Sequence, residues 1–431
     1  MSVDRHVLMV GATDDAVHKA KDLGLHVLLL QHPDKLTPAQ EEGADLLHVV
    51  DYTDWALVEP LARRLHVTPG FRCALSLTEL GLVPAAQVNE LLGLPGTPLA
   101  VARRMRDKRA MRAHLVGSGV NSVAAAPLRE RADLDAFAAA HGYPLIVKPT
   151  NASASFGVSR ADDPADLDAV WADVERLRGR RTDRGSTLFL IEDFLVEEYV
   201  DGPEVSVESV SFGGRHVVVA VTEKTVSPRF AELCHALPAR LDPPVLEEIR
   251  DQVRRFLDRM GLRDGVCHTE LRLGPRGPVV IESHNRVGGD AIPALVEAAY
   301  GVDLSRLALG HPFGLVDELP DHPVPVAAAS TRFLVSPPGR VSALGGVDEA
   351  RRQPDVLEVR INAEVGDTVR PLRDNWDRLG LVAVTAPDTD AAVRRGAALI
   401  DEQLDIRVTG QDGTTWQVTT AVAAAATGAA A

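Results

Sequence analysis

Two acidic residues in neighbouring segments are best placed to do chemistry. Glu270 sits in Cys267-His-Thr-Glu-Leu-Arg-Leu273, and Glu282 in Val279-Val-Ile-Glu-Ser-His-Asn-Arg-Val-Gly-Gly-Asp290, with Arg286 shortly after it. The first segment alternates as a strand does, Gly274-Pro-Arg-Gly277 supplies a turn, and Pro278-Val-Val-Ile281 resumes as an apolar strand. The spacing therefore predicts a hairpin that brings the two carboxylates together. Two such charges about 4 Å apart repel by roughly 4 kcal/mol at an effective dielectric of about 20. They need a proton, a Lys or Arg partner, or a metal between them. Magnesium prefers hard oxygens and commonly sits on one or two carboxylates plus substrate phosphates. Taken alone, two glutamates read as solvated strand residues, and the neighbouring motifs shift that reading.

Elements must hold these residues in place, and the composition allows them. With 431 residues, 45% hydrophobic and 25% charged, the chain has room for two to four packed domains. A formal charge of −15 argues against a general nucleic-acid or anionic-membrane surface, while leaving room for a local basic pocket for phosphates. Cys73, Cys234 and Cys267 lack a C-x-x-C spacing, so neither a zinc ribbon nor a disulfide framework is expected and a reducing cytoplasm fits best. The N-terminus runs into His6-Val-Leu-Met-Val-Gly11, a first strand and not a signal peptide, and no apolar run is long enough to span a bilayer.

From residue 6 to about 100, short apolar runs alternate with helical patterns, a βαβ rhythm that predicts a small parallel sheet. Gly11-Ala-Thr-Asp14 lacks G-x-G-x-x-G, which argues against a dinucleotide site. Residues 99–120 read as helical and carry a basic run from Arg103 to Arg112, most of which is expected to be solvated surface. Tyr143-Pro-Leu-Ile-Val-Lys-Pro149 is a buried strand ending in Lys148, and Thr150 to Gly157 is a small-residue loop able to lie over phosphates. Asp162 to Leu177 reads as a helix, Arg178 to Gly185 as a flexible charged loop, and Leu188 to Ile191 as a strand. Residues 244–260 form an amphipathic helix with Val245, Ile249, Val253, Phe256 and Leu257 on one side. Pro-rich punctuation from Leu319 to Pro325 marks a boundary, and the Ala-rich tail, residues 410–431, reads as largely disordered.

Taken in order, these motifs resemble the ATP-grasp superfamily, and within it the carboxylate–amine ligases, most closely the dipeptide-forming L-amino acid ligases. The resemblance implies an α/β and α+β multidomain chain with an ATP-grasp fold. Its parts are a Rossmann-like pre-ATP-grasp domain over 1–100, an ATP-grasp core over 101–325 with a lid subdomain at about 143–200, and a C-terminal α+β module over 326–409. By that resemblance Lys108 and Lys148 hold the nucleotide phosphates and Ser153 and Ser155 belong to a phosphate lid. Glu197, Glu198 and Val200 form the adenine hinge, and Glu204 accepts from the ribose hydroxyls, a task suited to a carboxylate. Lys224 is a further phosphate lysine. Phe230-Ala-Glu-Leu-Cys-His-Ala-Leu-Pro238 resembles the F-x-E-x-x-H-x-x-P segment of the amino acid ligases, placing Glu232 at a substrate ammonium and His235 near the reacting groups. Helix-spaced polar residues of this kind are also common on ordinary surfaces. Glu270 and Glu282 match the metal carboxylates. His284 stands where many members have asparagine, so the third ligand is Asn285 brought round by a bulge, or else phosphate oxygens complete the site. Arg286 matches an arginine beside the transferred phosphoryl group, and Gly288 and Gly289 a loop that receives the substrate carboxylate.

The activity implied is ATP- and Mg2+- (or Mn2+-) dependent joining of a small carboxylic acid to an amine through an acyl phosphate. Small-molecule substrates and a homodimer are expected, with no nucleic acid or membrane partner. Two alternatives share the motifs. One is a bicarbonate-activating carboxylase whose C-terminal module also contains the Arg370 to Leu381 segment, and the other is an ATP-binding module without turnover.

Overall fold

Alternating apolar strands and amphipathic helices dictate the first layer of this computed structural model, which describes residues 3–181 and 190–427. His6–Val10, His26–Gln31, Leu46–Val49 and Cys73–Leu75 form a four-stranded parallel sheet with His6–Val10 at its centre. The crossovers are helical, Asp14–Asp22 between the first two strands and Trp55–Val67 before the last. Gly11, at the end of the first strand, has φ 63°, and a Cβ there would meet the Tyr52 hydroxyl at 2.7 Å. The loop is a tight turn against a tyrosine.

The chain then passes through two helices, Leu99–Arg106 and Lys108–Leu115, where the sequence suggested one. Asp107 breaks the run and caps the second helix through a hydrogen bond from the Ala110 N–H. The basic run is not mostly solvated surface as expected. Arg104 donates to the Met260 carbonyl at 2.8 Å, Arg106 faces Glu79 at 3.2 Å, and Lys108 and Arg112 are buried. Beyond it, the Ala125–Leu128, Phe194–Glu198, Leu145–Pro149 and Ser159–Ala161 strands make a second, antiparallel sheet in that order. Half of the charged stretch at 178–185 and half of the apolar run at 188–191 fall outside the described residues. Within them, Arg180–Arg181 pairs with Leu190–Ile191.

The largest sheet has eight antiparallel strands: Gly277–His284, Gly265–Gly274, Glu204–Phe212, Arg215–Val226, Glu232–Leu237, Ala328–Leu334, Gly380–Ala386 and Val356–Ile361. It runs without interruption across the Pro-rich segment. The expected boundary near 325 is an excursion of the chain, and the later strands extend the same sheet through pairing of Ala328–Leu334 with Glu232–Leu237. The Pro243–Met260 helix packs its predicted stripe onto the sheet, with Ile249, Val253, Phe256 and Leu257 fully buried. The tail also departs from expectation. Thr415–Gln417 pairs with Asp405–Thr409, and Thr420–Thr427 is helical, because Trp416 packs on the C-terminal core and Asp401 receives the Thr420 N–H and hydroxyl.

Phe256 anchors the helix in the sheet's second core cluster. Phe256→Ala is expected to destabilise the protein by about 3–5 kcal/mol. An apparent unfolding midpoint in urea equal to that of the wild type would contradict this packing.

Candidate active site

Strand alternation builds the site. Glu270 and Glu282 are direct cross-strand partners in the predicted hairpin, with a bulge between Glu270 and Leu271. Successive side chains on a strand point to opposite faces, so His268, Glu270, Glu282 and His284 share one face of the sheet. The neighbouring strand adds Glu204 opposite Arg272, Ser206 opposite Glu270, and Glu208 opposite His268. Lys224 lies opposite Glu204 on one side and His235 on the other. A bulge at Leu233 returns Glu232 to the face of His235. The two are held by a bulged strand, Glu232–Leu237, and not by helical spacing. This polar face floors a cavity of about 870 Å³.

Cations partner nearly every carboxylate there. Lys224 donates to Glu232 at 2.6 Å and to Glu270, and Glu204 lies 3.7 Å away. Burial opposes its charge, yet Glu232, Glu270 and Glu204 raise the Lys224 pKa well above the ordinary lysine value. In return, against the effect of burial, Lys224 and His268 bring Glu270 down to about 2. Glu282 faces Lys108 at 3.1 Å and the Nε2 of His284 at 2.6 Å, and despite burial the Lys108 charge and the contact with the His284 ring hold it well below the usual carboxylate range. Burial lowers the Lys148 pKa in spite of Glu197, whose two oxygens are taken by Lys148 at 2.6 Å and Arg112 at 2.7 Å. His268 is squeezed between Glu208 and Glu270, which outweigh burial and raise it to about 9. It is a fixed cation at neutral pH. His235 differs: neither ring nitrogen makes a hydrogen bond, and Nε2 lies 3.2 Å from Glu232.

Of the residues singled out in the sequence, Lys108, Lys148, Ser153, Ser155, Glu197, Glu198, Val200, Glu204, Lys224, Glu232, His235, Glu270, Glu282, Arg286, Gly288 and Gly289 all line the cavity. Asn285 does not. It follows the last residue of its strand, and its Oδ1 is buried without a hydrogen-bond partner. Among the described residues, the three carboxylates whose oxygens lie within 4.8 Å of one another are Glu204, Glu232 and Glu270, and Lys224 occupies their centre. Glu270 and Glu282 together offer the hard oxygens a divalent cation requires. His284 is pinned between Glu282 and Glu79, whose Oε1 is 3.0 Å from Nδ1.

Glu79 was missed by the sequence reading. It reaches over from the N-terminal domain to accept from Arg286 Nε at 2.6 Å and to face Arg106 and His284. Burial would raise its pKa, but His284, Arg286 and Arg106 hold it well below the usual range. Nothing in Leu77-Thr-Glu-Leu80 marks it, because its partners are far away in sequence. Glu208, His268 and Arg272 were also missed, although their strand parity with Glu204 and Glu270 was a usable signal. Glu208 accepts the Gly288 N–H at 3.2 Å, and a Cβ at Gly288 would meet Ile292 at 2.8 Å. Gly289 has open space around it.

The cavity is apolar where Val123, Ile146, Val200 and Ile281 form a slot beside Glu197 and Glu198. There the Glu198 carboxylate accepts from the Ala124 N–H and Arg276, and the Val200 carbonyl accepts from Arg272. The loop over it is clasped from below and behind. Lys108 donates to the Ala152 carbonyl at 2.6 Å, Ser155 to the Phe230 carbonyl at 2.9 Å, and the Asn375 N–H to the Ala154 carbonyl at 3.1 Å. Ala154 and Ser155 both have positive φ, near 60°.

Family profiles agree with this arrangement along most of the chain. An ATP-grasp N-terminal domain matches residues 17–96, an ATP-grasp domain 141–294, and an L-amino acid ligase C-terminal domain 332–409. The chain belongs to the ATP-grasp family. Among its ATP-grasp relatives, the alanine–anticapsin ligase of Bacillus subtilis is 28% identical over 319 residues, covering 70% of this chain and 65% of that one. Human carnosine synthase 1 is 30% identical over 255 residues, covering 56% of this chain and 31% of that one. The match therefore spans about two thirds or less of these relatives' lengths. The crystal structure of an L-amino acid ligase from Bacillus licheniformis superposes with a TM-score of 0.79 at 23% identity, covering 93% and 98% of the two chains, a likeness of fold. Among the described residues no helix is long and apolar enough to cross a membrane, and the three cysteines are free and buried.

Removing Lys224 leaves Glu204, Glu232 and Glu270 facing one another without their central cation. Lys224→Met is expected to cost about 3–5 kcal/mol of stability at pH 8. Its carboxyls would then have folded pKa values above their unfolded ones. The folded state gains protons relative to the unfolded state as pH falls, so the deficit should shrink toward pH 5.5. Urea melts at the two pH values check this, and a deficit independent of pH would contradict the ion-cluster account.

Proposed function

We propose that this protein is an ATP-dependent, ADP-forming carboxylate–amine ligase that joins an amino acid or small carboxylic acid to an amino acid. The observation that carries the reading is the convergence of Lys108, Lys148, Lys224 and Arg286 on one cavity beside the Glu270–Glu282 pair, between an apolar slot and a glycine loop. An adenine fits the Val123, Ile146, Val200 and Ile281 slot. The phosphates would then run under the Ser153–Ser155 loop toward Lys108, Lys148 and Arg286. Glu270 and Glu282 would hold the divalent metal, which when bound neutralises phosphate charge.

Amide formation from a free carboxylate in water is uphill, and the carboxylate is a poor electrophile, so the acid must be activated. The donor carboxylate, received by the Gly288–Gly289 loop, attacks the γ-phosphate in line. An acyl phosphate forms and ADP leaves. The protein's part is positioning and charge stabilisation on the transferring oxygens by Lys148, Lys224 and Arg286. The lid loop keeps water from the intermediate. An amine then attacks the acyl carbon, the C–N bond forms as the C–O bond to phosphate breaks, and His235 takes the amine proton. His235 suits this because neither ring nitrogen is held by a hydrogen bond and the Glu232 carboxylate lies 3.2 Å from Nε2 to face the charge that forms, whereas His268 is held protonated between two carboxylates.

The relatives support an amine acceptor through their names and the C-terminal domain match. Bicarbonate-activating enzymes, such as the biotin carboxylase of Campylobacter jejuni at TM-score 0.68 and 14% identity, share the fold only. The placement of His284 between two carboxylates accounts for it without a damaged metal site, which weakens the reading without turnover.

Incubation with magnesium–ATP, pooled amino acids and simple carboxylic acids should give ADP and products one water lighter than the summed partners, seen by mass spectrometry. Glu282→Ala should abolish ADP formation. Arg286→Ala should lower turnover by about 100-fold or more while nucleotide affinity changes little. Near-normal ADP formation by the Glu282 variant, or equal losses in turnover and affinity for the Arg286 variant, would remove these assignments.

A further inference from the structure

The end of the cavity opposite the apolar slot is walled by residues of the C-terminal module: Glu358, Arg360, Asn375, Trp376 and Arg378. Arg378 is the most constrained of them. Its Nη2 donates to both oxygens of Asp290 at 3.0 and 2.9 Å, its Nε donates to the Asn375 carbonyl at 2.8 Å, and its guanidinium stacks 3.8 Å over the Phe333 ring. The side chain is only 8% exposed, yet Nη1 makes no hydrogen bond. The Glu232 carboxylate is its neighbour at 3.6 Å, beyond hydrogen-bond reach. A buried guanidinium N–H without an acceptor is costly, and here every other donor contact fixes its direction. Arg360 stands alongside, with Nη2 3.7 Å from Asp290 and Nε paired with Glu358 at 3.4 Å without a hydrogen bond.

From this geometry we infer that Arg378, assisted by Arg360, is the anchor for the carboxylate of the amine substrate. The inference rests on the ligase reading above and assigns the acceptor subsite within it. A guanidinium edge with its other donors committed presents a fixed, directional contact to a carboxylate. The placement also orients the nucleophile. Glu232, next to Nη1, lies 3.2 Å from His235, so an α-amino acid seated by its carboxylate on Arg378 has its amine on the His235 side. Asp290, with φ 52°, follows the Gly288–Gly289 loop and braces the arginine from the donor side. The C-terminal module thus selects amines that carry a carboxylate and discriminates against simple amines and amino acid amides.

Two assays separate the half-reactions. Hydroxylamine, a small acceptor with no carboxylate, traps the activated donor as a hydroxamate. Pooled amino acids and pooled amino acid carboxamides then compete as true acceptors. The wild type should form hydroxamate and use amino acids with a KM about 10- to 100-fold below that of the carboxamides. Arg378→Met should bring the two acceptor pools to parity, raising the KM for amino acids far more than the donor KM in the hydroxylamine assay. Arg378→Lys should recover part of the discrimination and provides the test if the methionine variant does not fold. Carboxamides used as well as amino acids by the wild type would overturn the assignment. So would a rise in donor KM equal to that in acceptor KM. No hydroxamate from the wild type with any acid would remove the ligase reading itself, and this one with it.

Discussion

Burying acidic side chains on one face of a sheet is the constraint on which the rest of this structure depends. Glu204, Glu232, Glu270 and Glu282 project from one sheet into one cavity, with Glu208 fully buried beside His268, and like charges there cannot remain ionised without compensation. Lys224 at the centre, Lys108 from a helix N-terminus and His268 within the sheet supply it. These contacts also pull separate parts of the chain together. Glu79 ties the N-terminal domain to Arg286, Arg112 and Lys148 share Glu197 at the second sheet, and Arg378 brings the C-terminal module to Asp290. The polar site is therefore part of what fixes the arrangement of the domains.

The same arrangement suits a reaction in which highly charged groups arrive and leave. A phosphate chain or a carboxylate entering the cavity meets cations already held in place by protein carboxylates, so little reorganisation is needed at the moment of reaction. Continuity of the eight-stranded sheet matters here. Because Ala328–Leu334 pairs directly with Glu232–Leu237, the C-terminal strands extend the floor of the site, and Asn375, in a short 3-10 turn before Gly380–Ala386, sits against it. Asn375 does two jobs from that position. Its side chain bonds Glu232 through both the backbone N–H and a carboxylate oxygen, and its own N–H holds the Ala154 carbonyl of the loop at 150–157.

Much of this was legible in the sequence where the signal is local. The Glu270–Glu282 hairpin follows from alternation and a Gly-Pro-Arg-Gly turn, and the N-terminal parallel sheet follows from its βαβ rhythm. What escaped depends on long-range pairing. Glu79 has no local pattern to announce that Arg286 will meet it, and the buried fate of Arg106 and Arg112 is set by Glu79 and Glu197. The Glu232–His235 pair was visible as a motif but not as a bulged strand, since a bulge moves residues three apart onto one face and imitates helical spacing. Asn285 is absent from the cavity lining for a related reason: the strand ends at His284, and no bulge turns the asparagine toward the cavity wall.

In the proposed reaction a substrate carboxylate oxygen becomes bonded to the γ-phosphorus before any amine attacks. Transfer of 18O reads that bond directly. With an 18O-labelled carboxylic acid donor, phosphorus-31 NMR of the released phosphate should show the isotope shift of one transferred oxygen for each product formed. Phosphate free of label while amide accumulates would contradict an acyl phosphate, and with it the roles assigned to Lys148, Lys224 and Arg286.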